Sequence, residues 1–206
     1  MTEGAGNLGK LRAFVQGMTR LVERAGGDEP RLLKEGVALL GTLVREDDWL
    51  PEDFAKPHPR YYQQYLLYCD PFERFSVVSF VWGPGQSTPV HDHTVWGLVG
   101  MLRGAERCQS YASAGNGQGL LRGKSEILEP GQVTAVSPTI GDIHTVANHY
   151  ADRVSISIHA YGANIGAVRR HVFDPTTGTP KDFVSGYASA VLPNLWDRSA
   201  DARATL

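Results

Sequence analysis

The stretch PVHDHTVWGLVG, residues 89–100, decides what fold this chain can adopt. It has the apolar run of a strand entering a core, yet His91 and His93 stand within it, one residue apart. Because the side chains of a strand alternate between its faces, both imidazoles point to one side and Asp92 points to the other. The two rings are about 7 Å apart along that face and can turn toward one ion. Taken alone, the pair fits either a metal site or ordinary surface and core histidines.

The composition indicates a globular protein of about one domain. The chain has 206 residues, 42% of them hydrophobic, and a formal net charge of −2. Its lysines and arginines are scattered, which argues against nucleic acid or an anionic membrane as the main partner. No apolar run approaches the roughly 18 residues that span a bilayer. The first residues lack the apolar segment of a secretion signal, and Cys69 and Cys108 make no disulfide framework, so we expect a reduced, cytoplasmic protein.

Apolar residues at intervals of three and four predict two helices near the N-terminus. The first covers residues 8–25 and the second covers residues 29–44. A third, short helix is expected near Pro51. The first quarter of the chain is therefore predicted to be helical.

Beyond about Tyr65 the pattern changes to that of a β-protein. Short segments rich in Val, Ile, Phe and Trp alternate with Gly and Pro, which is typical of an antiparallel sandwich or barrel. The sequence SAGNGQG, residues 113–119, predicts an exposed hairpin loop. Residues 169–178 predict an edge strand.

No internal repeat or linker divides the chain, so we predict a single domain over residues 1–206. Residues 1–60 form its helical layer and residues 61–175 form an antiparallel barrel that carries the functional site. Residues 176–206 form a tail packed on the barrel. The predicted fold class is thus mainly β, with the N-terminal helices packed on the barrel.

A second segment strengthens the metal interpretation. Residues 138–148, PTIGDIHTVAN, have the spacing P-x2-G-x2-H-x3-N, in which His144 is the histidine, and Gly85 precedes His91 in the spacing G-x5-H-x-H. These motifs resemble the two conserved motifs of the cupin superfamily. Cupins are small antiparallel barrels of the jelly-roll type that hold a metal inside. The resemblance implies a cupin barrel in which His91, His93 and His144 bind a metal.

The expected ligand set departs from the usual cupin motif. That motif carries a glutamate four residues after its second histidine, where this chain has Gly97. We therefore expect three neutral histidine ligands, which leave positions open for a substrate and dioxygen. Asp142 shares a face with His144 if the strand is regular, and it is a minor candidate ligand. Imidazole ligation with open positions suits non-haem iron, and zinc, nickel and copper also accept it.

The segment RVSISIHAY, residues 153–161, alternates cleanly between two faces. One face is apolar, and the other carries Ser157, His159 and Tyr161 at intervals of two. A solvated face would usually carry lysine, glutamate or threonine. We expect a hydrogen-bonded relay that points into the barrel, although a half-exposed strand with small polar residues has the same pattern.

The histidine motifs, the missing motif glutamate and the Ser-x-His-x-Tyr strand are together similar to the cysteine dioxygenase-type thiol dioxygenases of the cupin superfamily. The resemblance covers roughly residues 60–175. It implies one Fe(II) per chain on the three histidines, with a small thiol and O2 as the substrates. Both oxygen atoms go to sulfur and give a sulfinate. It also assigns the family's relay to Ser157, His159 and Tyr161.

Two departures from the animal enzymes of this family bear on the site. The animal enzymes have a cysteine shortly after the His-x-His pair, crosslinked to the relay tyrosine. Here that place falls on Gly97, so we expect Tyr161 to be unmodified.

The animal enzymes also carry an arginine for the substrate carboxylate, and in this chain Gln64, or Gln63, stands at that place. This looks like the bacterial glutamine-type group, which favours 3-mercaptopropionate over cysteine. We then expect Arg170 to bind the carboxylate from the wall opposite Gln64, with Arg169 as the fallback, since a guanidinium fork suits a carboxylate.

Three alternatives remain open at this stage. The chain fits a cysteine dioxygenase proper, a cupin enzyme with another metal-dependent reaction, or a binding cupin without catalysis. The Ser-x-His-x-Tyr strand and the missing glutamate favour thiol oxidation. We expect a monomer or a weak homo-oligomer.

Overall fold

The computed structural model describes residues 8–115, 119–189 and 199–206. Within these ranges the chain forms three helices, α1 Gly9–Ala25, α2 Glu29–Leu43 and α3 Ser199–Arg203. Short 3-10 turns cover Glu52–Phe54 and Ile165–Ala167. The strands are β1 Gln63–Cys69, β2 Ser76–Trp82, β3 Val90–His91, β4 Gly97–Arg103, β5 Glu106–Ser113, β6 Leu120–Leu128, β7 Val133–Val136, β8 His144–Asn148, β9 Ser155–Tyr161, β10 Arg170–Phe173 and β11 Pro180–Phe183.

The two N-terminal helices agree with the prediction, and each has a physical stop or start signal. The C-cap of α1 is Gly26, which adopts the left-handed region at φ 53°. The Asp28 carboxylate accepts a hydrogen bond from the Arg31 backbone N–H at 3.1 Å and so caps α2. The expected third helix is only the turn Glu52–Phe54.

Two antiparallel sheets form the β-body. The order of strands in the first sheet is β1-β2-β9-β4-β7, and the order in the second sheet is β11-β10-β3-β8-β5-β6. Every pairing between neighbouring strands is antiparallel. The predicted fold class, a mainly β cupin barrel with N-terminal helices, is confirmed.

The strand β9 separates two apolar layers. Its residues Ile156, Ile158 and Ala160 pack in the cluster that also contains buried residues of α1 and α2. Tyr161 packs in a second cluster with residues of both sheets, including Val78 and Val146. The alternation seen in the sequence thus places one face of β9 under the helices and the other face inside the barrel.

Helix α2 packs closely on β4 because glycine stands at the contact. A Cβ atom at Gly100 would lie 2.9 Å from Leu40 Cγ and 3.0 Å from Val44 Cγ1. Any larger side chain would push the helix from the sheet. Gly100 therefore allows the close contact of α2 with the sheet.

Some expectations about the second half of the chain differ from the structure. The strand expected in residues 169–178 is β10, which lies between β11 and β3 and is not an edge strand. Of the hairpin loop expected over residues 113–119, residues 116–118 lie outside the described residues, as do residues 190–198 of the C-terminal tail. No helix in the described ranges is both long enough and apolar enough to cross a membrane.

Candidate metal centre

Three histidines converge inside the barrel, one on β3, one in the turn after β3 and one on β8. His91 ends β3 and His144 begins β8, and the two residues are direct register partners. His93 follows two residues after His91. All three are buried, and each offers one ring nitrogen to a cluster whose ligand atoms lie within 4.8 Å of one another.

The Nδ1 atom of each imidazole is already engaged. His91 Nδ1 lies 3.1 Å from the Pro89 carbonyl oxygen, and His144 Nδ1 lies 3.4 Å from Cys108 Sγ. His93 Nδ1 lies 2.8 Å from an Asp142 carboxylate oxygen. The nitrogen left for a metal is therefore Nε2 on every ring. Partners of this kind set the orientation of a ligating imidazole and the position of its proton.

Asp142 holds His93 in place and is not part of the ligand cluster. Its carboxylate accepts hydrogen bonds from the backbone N–H groups of His93 and Thr94 at 2.9 and 2.8 Å, besides its contact with the His93 ring. Thr94 adopts the left-handed region at φ 60°, which is unfavourable for a β-branched residue. Asp142 thus stabilises the tight turn after His93, and the expectation that it is a candidate ligand is corrected.

The three imidazoles are neutral at neutral pH. Burial lowers the pKa of His144 to about 4, and burial also lowers the pKa of His91 and of His93, with the neighbouring imidazoles acting in the same direction. Neutral imidazole lone pairs that converge beside a cavity fit a divalent transition metal with open coordination positions.

Ser157, His159 and Tyr161 form a hydrogen-bonded series beside the histidine cluster. The Tyr161 hydroxyl lies 2.7 Å from His159 Nδ1, and His159 Nε2 lies 2.8 Å from Ser157 Oγ. The Tyr161 ring stacks on His93 with 5.2 Å between centroids. Burial lowers the pKa of His159 to about 3 and raises the pKa of Tyr161, so both rings are neutral.

The series continues to a residue that sequence reasoning missed. Ser157 Oγ lies 2.9 Å from a carboxylate oxygen of Glu106, the first residue of β5. Glu106 is 2% exposed, and burial raises its pKa to about 7 against the hydrogen bonds that lower it. The only signal in the sequence is a charged residue on the same strand face as Cys108. That signal becomes meaningful only when the pairing of β5 is known.

A cavity of about 180 Å³ opens beside the histidines and the relay. Gln64 and Arg170 both line it. Arg170 Nη2 donates a hydrogen bond to Ser185 Oγ at 2.8 Å, and Gln64 Nε2 donates to the same oxygen at 3.2 Å. The two side chains therefore meet at Ser185, and the expectation that they stand on opposite walls is corrected.

The alternative residues point elsewhere. Arg169 is exposed, donates hydrogen bonds to Thr205 and lies 3.8 Å from an Asp182 oxygen. Gln63 Nε2 donates to the backbone carbonyl groups of Tyr61 and Tyr62. Neither Arg169 nor Gln63 lines the cavity beside the histidines.

Gly97 lies directly against the relay tyrosine. It is the register partner of Tyr161 across β4 and β9, and a Cβ atom there would lie 2.9 Å from Tyr161 Cε1. The position next to the phenol ring therefore carries no side chain. Cys69 and Cys108 lie on β1 and β5, away from this register position.

Solved structures similar to this chain include TT1209 from Thermus thermophilus, with 17% identity, 54% of this chain and 92% of that chain covered, and a TM-score of 0.43. A conserved protein with a double-stranded β-helix domain from Klebsiella pneumoniae shows 15% identity, coverage of 64% and 91%, and a TM-score of 0.43. Oxalate oxidase in complex with the substrate analogue glycolate shows 16% identity, coverage of 52% and 53%, and a TM-score of 0.41. Likeness at this level does not extend to activity.

The match to a family model is more specific. Residues 47–174, well over half of the chain, match the model of cysteine dioxygenase type I. The matched range contains the three converging histidines, the relay and the two polar residues that meet at Ser185. The chain therefore belongs to the cysteine dioxygenase type I family, a family of cupin thiol dioxygenases.

Proposed function

We propose that this protein is an Fe(II)-dependent thiol dioxygenase that oxidises 3-mercaptopropionate in preference to L-cysteine. One Fe(II) per chain would be held by His91, His93 and His144. The overall reaction adds both atoms of O2 to the thiol sulfur and gives a sulfinic acid, so that no further reductant is needed. The observation that carries the proposal is the buried guanidinium of Arg170, which has no ion-pair partner among the described residues.

Among the described residues, Arg170 is a buried cation without an ion-pair partner. It is 3% exposed, its Nε has no hydrogen-bond partner, and it forms no ion pair with any residue that the structure describes. Its guanidinium stacks over the Phe183 ring at 4.7 Å. Arginine stays charged even when burial lowers its pKa, so the uncompensated charge costs free energy. A substrate carboxylate in the cavity would supply the missing anion.

The same cavity disfavours an ammonium group. Among the described residues that line it there is no aspartate or glutamate. The ammonium of L-cysteine would therefore be buried near the Arg170 cation with no aspartate or glutamate of the described lining to pair with it. 3-Mercaptopropionate carries the thiol and the carboxylate without the ammonium. The preference would therefore come from the free-energy cost of burying the L-cysteine ammonium without a partner.

The side chains that line the cavity would have different roles in the proposed reaction. Arg170 would hold the carboxylate, and the hydrogen bond that Gln64 donates to Ser185 supports the acceptor that orients Arg170. Tyr161 would stand beside the reacting sulfur with a proton that it shares with His159. When bound, Fe(II) would supply the positive charge that favours the thiolate and the electrons that activate O2.

A substrate panel tests the proposal. The protein is reconstituted with Fe(II) without oxygen, and O2 uptake and sulfinate formation are measured with 3-mercaptopropionate, L-cysteine and cysteamine. We expect the highest kcat/KM with 3-mercaptopropionate and the lowest with cysteamine, which has no carboxylate. A higher kcat/KM with L-cysteine would make the protein a cysteine dioxygenase proper. If no thiol is oxidised, the proposed activity is wrong.

Neighbouring arginines provide a matched pair of variants. Arg170→Ala should raise KM for 3-mercaptopropionate by about 10- to 100-fold with a much smaller change in kcat, as expected for the loss of charged hydrogen bonds to a bound substrate. Arg169→Ala removes the same charge from the exposed neighbour and should leave both constants near those of the wild type. Equal effects of the two substitutions would show that Arg170 does not bind the carboxylate.

A further inference from the structure

The buried hydrogen-bond series has one consistent direction when Glu106 is ionised. The Trp82 indole Nε1 can only donate, and it lies 3.1 Å from Ser157 Oγ. An ionised Glu106 can only accept, so the single hydroxyl proton of Ser157 points to Glu106. Ser157 Oγ must then accept from His159 Nε2, which leaves His159 Nδ1 to accept from the Tyr161 hydroxyl. Every donor in the series points from the metal centre toward Glu106.

Glu106 also borders a second cavity. This cavity has a volume of about 280 Å³, and its lining includes Glu106 together with the exposed side chains of Lys124 and Glu126. It shares only His144 and Val146 with the lining of the substrate cavity. The series thus begins at a residue of the first cavity, Tyr161, and ends at a residue of the second.

We infer that Glu106 is the terminal proton acceptor of the metal centre: it takes up, through Ser157 and His159, the proton that the substrate thiol loses, and it exchanges that proton with solvent through the second cavity. The identity of the donor as a thiol rests on the proposed function. The hydrogen-bonded series from Tyr161 to Glu106 does not depend on the proposed function.

The proton step balances within this chain and the substrate. The thiol S–H proton passes to the Tyr161 oxygen while the Tyr161 proton passes to His159 Nδ1. The His159 Nε2 proton passes to Ser157 Oγ, and the Ser157 proton passes to Glu106. The result is a thiolate and a neutral Glu106 carboxylic acid, and the three groups between them end neutral, as they began. No electron is transferred in this step.

The surroundings leave Glu106 able to exchange a proton near neutral pH, because burial raises its pKa to about 7. The thiol of Cys108 on the same strand stays neutral, since burial raises its pKa to about 12. Lys124 and Glu126 on β6 form an ion pair with each other. The titratable or charged side chains that line the second cavity with Glu106 are Cys108 and Tyr111 on β5, Lys124 and Glu126 on β6, Asp142 just before β8, and His144 on β8. Through the hydrogen-bonded series, His159 and Tyr161 on β9 are also near Glu106. From β2 the neighbour is the uncharged Trp82.

The first test uses the metal-free protein and does not depend on activity. The infrared pH-difference spectrum should contain a carboxylic acid band that titrates near neutral pH in the wild type and in Glu129→Gln, a control that makes the same change at an exposed site. Glu106→Gln should remove the band. Nitrogen-15 NMR at pH 8 should show His159 protonated on Nε2. Absence of the band, or protonation of His159 on Nδ1 at that pH, would overturn the inference.

The second test measures turnover. In the wild type and in Glu129→Gln, kcat/KM should rise with pH through the Glu106 titration seen by infrared. In Glu106→Gln this rising limb of the pH profile should vanish. The kcat/KM at pH 8 should fall by about 100-fold, a typical contribution of general-base catalysis. Ser157→Ala should keep the infrared band and lose the limb, while Ser157→Thr, which keeps the hydroxyl, should restore it.

The outcomes separate the two proposals. A limb that persists in Ser157→Ala would show that Glu106 does not act through the series, and the inference would be wrong. Should Glu106→Gln fail to fold, Ser157→Ala and Ser157→Thr decide the question alone. If no thiol is oxidised by the wild type, the proposed function fails, and the infrared and NMR results still decide whether the proton path exists.

Discussion

At the scale of single residues, the second nitrogen of each imidazole decides whether the cluster can bind a metal. Asp142 accepts from His93 Nδ1 at 2.8 Å, which keeps the proton on Nδ1 and the lone pair on Nε2. The Pro89 carbonyl oxygen can only accept, so it has the same effect on His91. Because burial keeps the three rings neutral, none of these lone pairs is lost to protonation at neutral pH.

The first prediction concerns His93. His93→Ala should reduce bound iron by more than about 10-fold and abolish thiol oxidation, because two imidazoles remain where three converged and even the loss of a supporting residue costs about 10- to 100-fold in metal affinity. Iron per chain is measured after anaerobic reconstitution, with circular dichroism to verify folding. His149→Ala, which removes a histidine outside the cluster, is the control. Full iron occupancy in His93→Ala would exclude His93 as a ligand.

At the scale of the strands, the register of β4 against β9 decides the chemistry open to Tyr161. Gly97 is the partner of Tyr161, and there is no room for a side chain between the phenol ring and the glycine backbone. The pairing of β9 with β2 and β4 also directs Ser157, His159 and Tyr161 to one interior face. Both consequences follow from strand pairing and from the alternation of side chains along a strand.

The second prediction concerns this register. The protein should contain no thioether bond on Tyr161, because no cysteine stands at position 97. Peptide mass spectrometry should find the Tyr161 peptide at its unmodified mass, before and after turnover. A peptide pair that joins Tyr161 to Cys69 or Cys108 with the loss of two hydrogens would contradict the prediction.

At the scale of the whole molecule, the burial of Glu106 makes the stability of the protein depend on pH. An ordinary glutamate has a pKa of 4.5, and burial raises the pKa of Glu106 to about 7. The folded state therefore binds more protons than the unfolded state between these two values, so the stability falls as the pH rises through this window. Above about pH 7 the whole penalty, on the order of 3 kcal/mol, is present. Below about pH 4.5 it is absent.

The third prediction follows from that sign. In the metal-free protein, Glu106→Gln should be more stable than the wild type at pH 8, by up to about 3 kcal/mol, and the difference should shrink toward zero at about pH 4.5. Urea unfolding at several pH values measures this, with Glu129→Gln as the control for loss of a carboxylate. A difference that does not change with pH would mean that Glu106 is not a strained, buried acid.

Much of the fold and of the site could be predicted from the sequence, because the signals are local along the chain. The alternation in residues 153–161 predicts which side chains face inward, and the structure joins Ser157, His159 and Tyr161 in one series. His91 and His93 were expected to share one strand and to converge, and they do converge, although β3 ends at His91 and His93 lies in the turn that follows. The two helices predicted over residues 8–25 and 29–44 rest on the spacing of apolar side chains alone, and they agree with α1 and α2.

The predictions that were missed or wrong concern contacts between residues far apart in the chain. Glu106 lies 51 positions from Ser157, and Asp142 lies 49 positions from His93. No periodicity along one strand carries the register between two strands, so the contact of Ser157 with Glu106 was missed and the role of Asp142 beside His93 was misassigned. The same reason explains why Gln64 and Arg170 were expected on opposite walls.

The sequence by itself determined the mainly β barrel, the inward face of β9 and the candidate metal ligands, because each rests on the repeat distances of helix and strand and on two compact motifs. Only the tertiary structure decided that Gln64 and Arg170 meet at Ser185, that Asp142 contacts His93 and that the hydrogen-bonded series continues to Glu106. The physical reason is that burial and strand pairing, which set these contacts and the pKa of Glu106, are properties of the packed chain and not of any one segment.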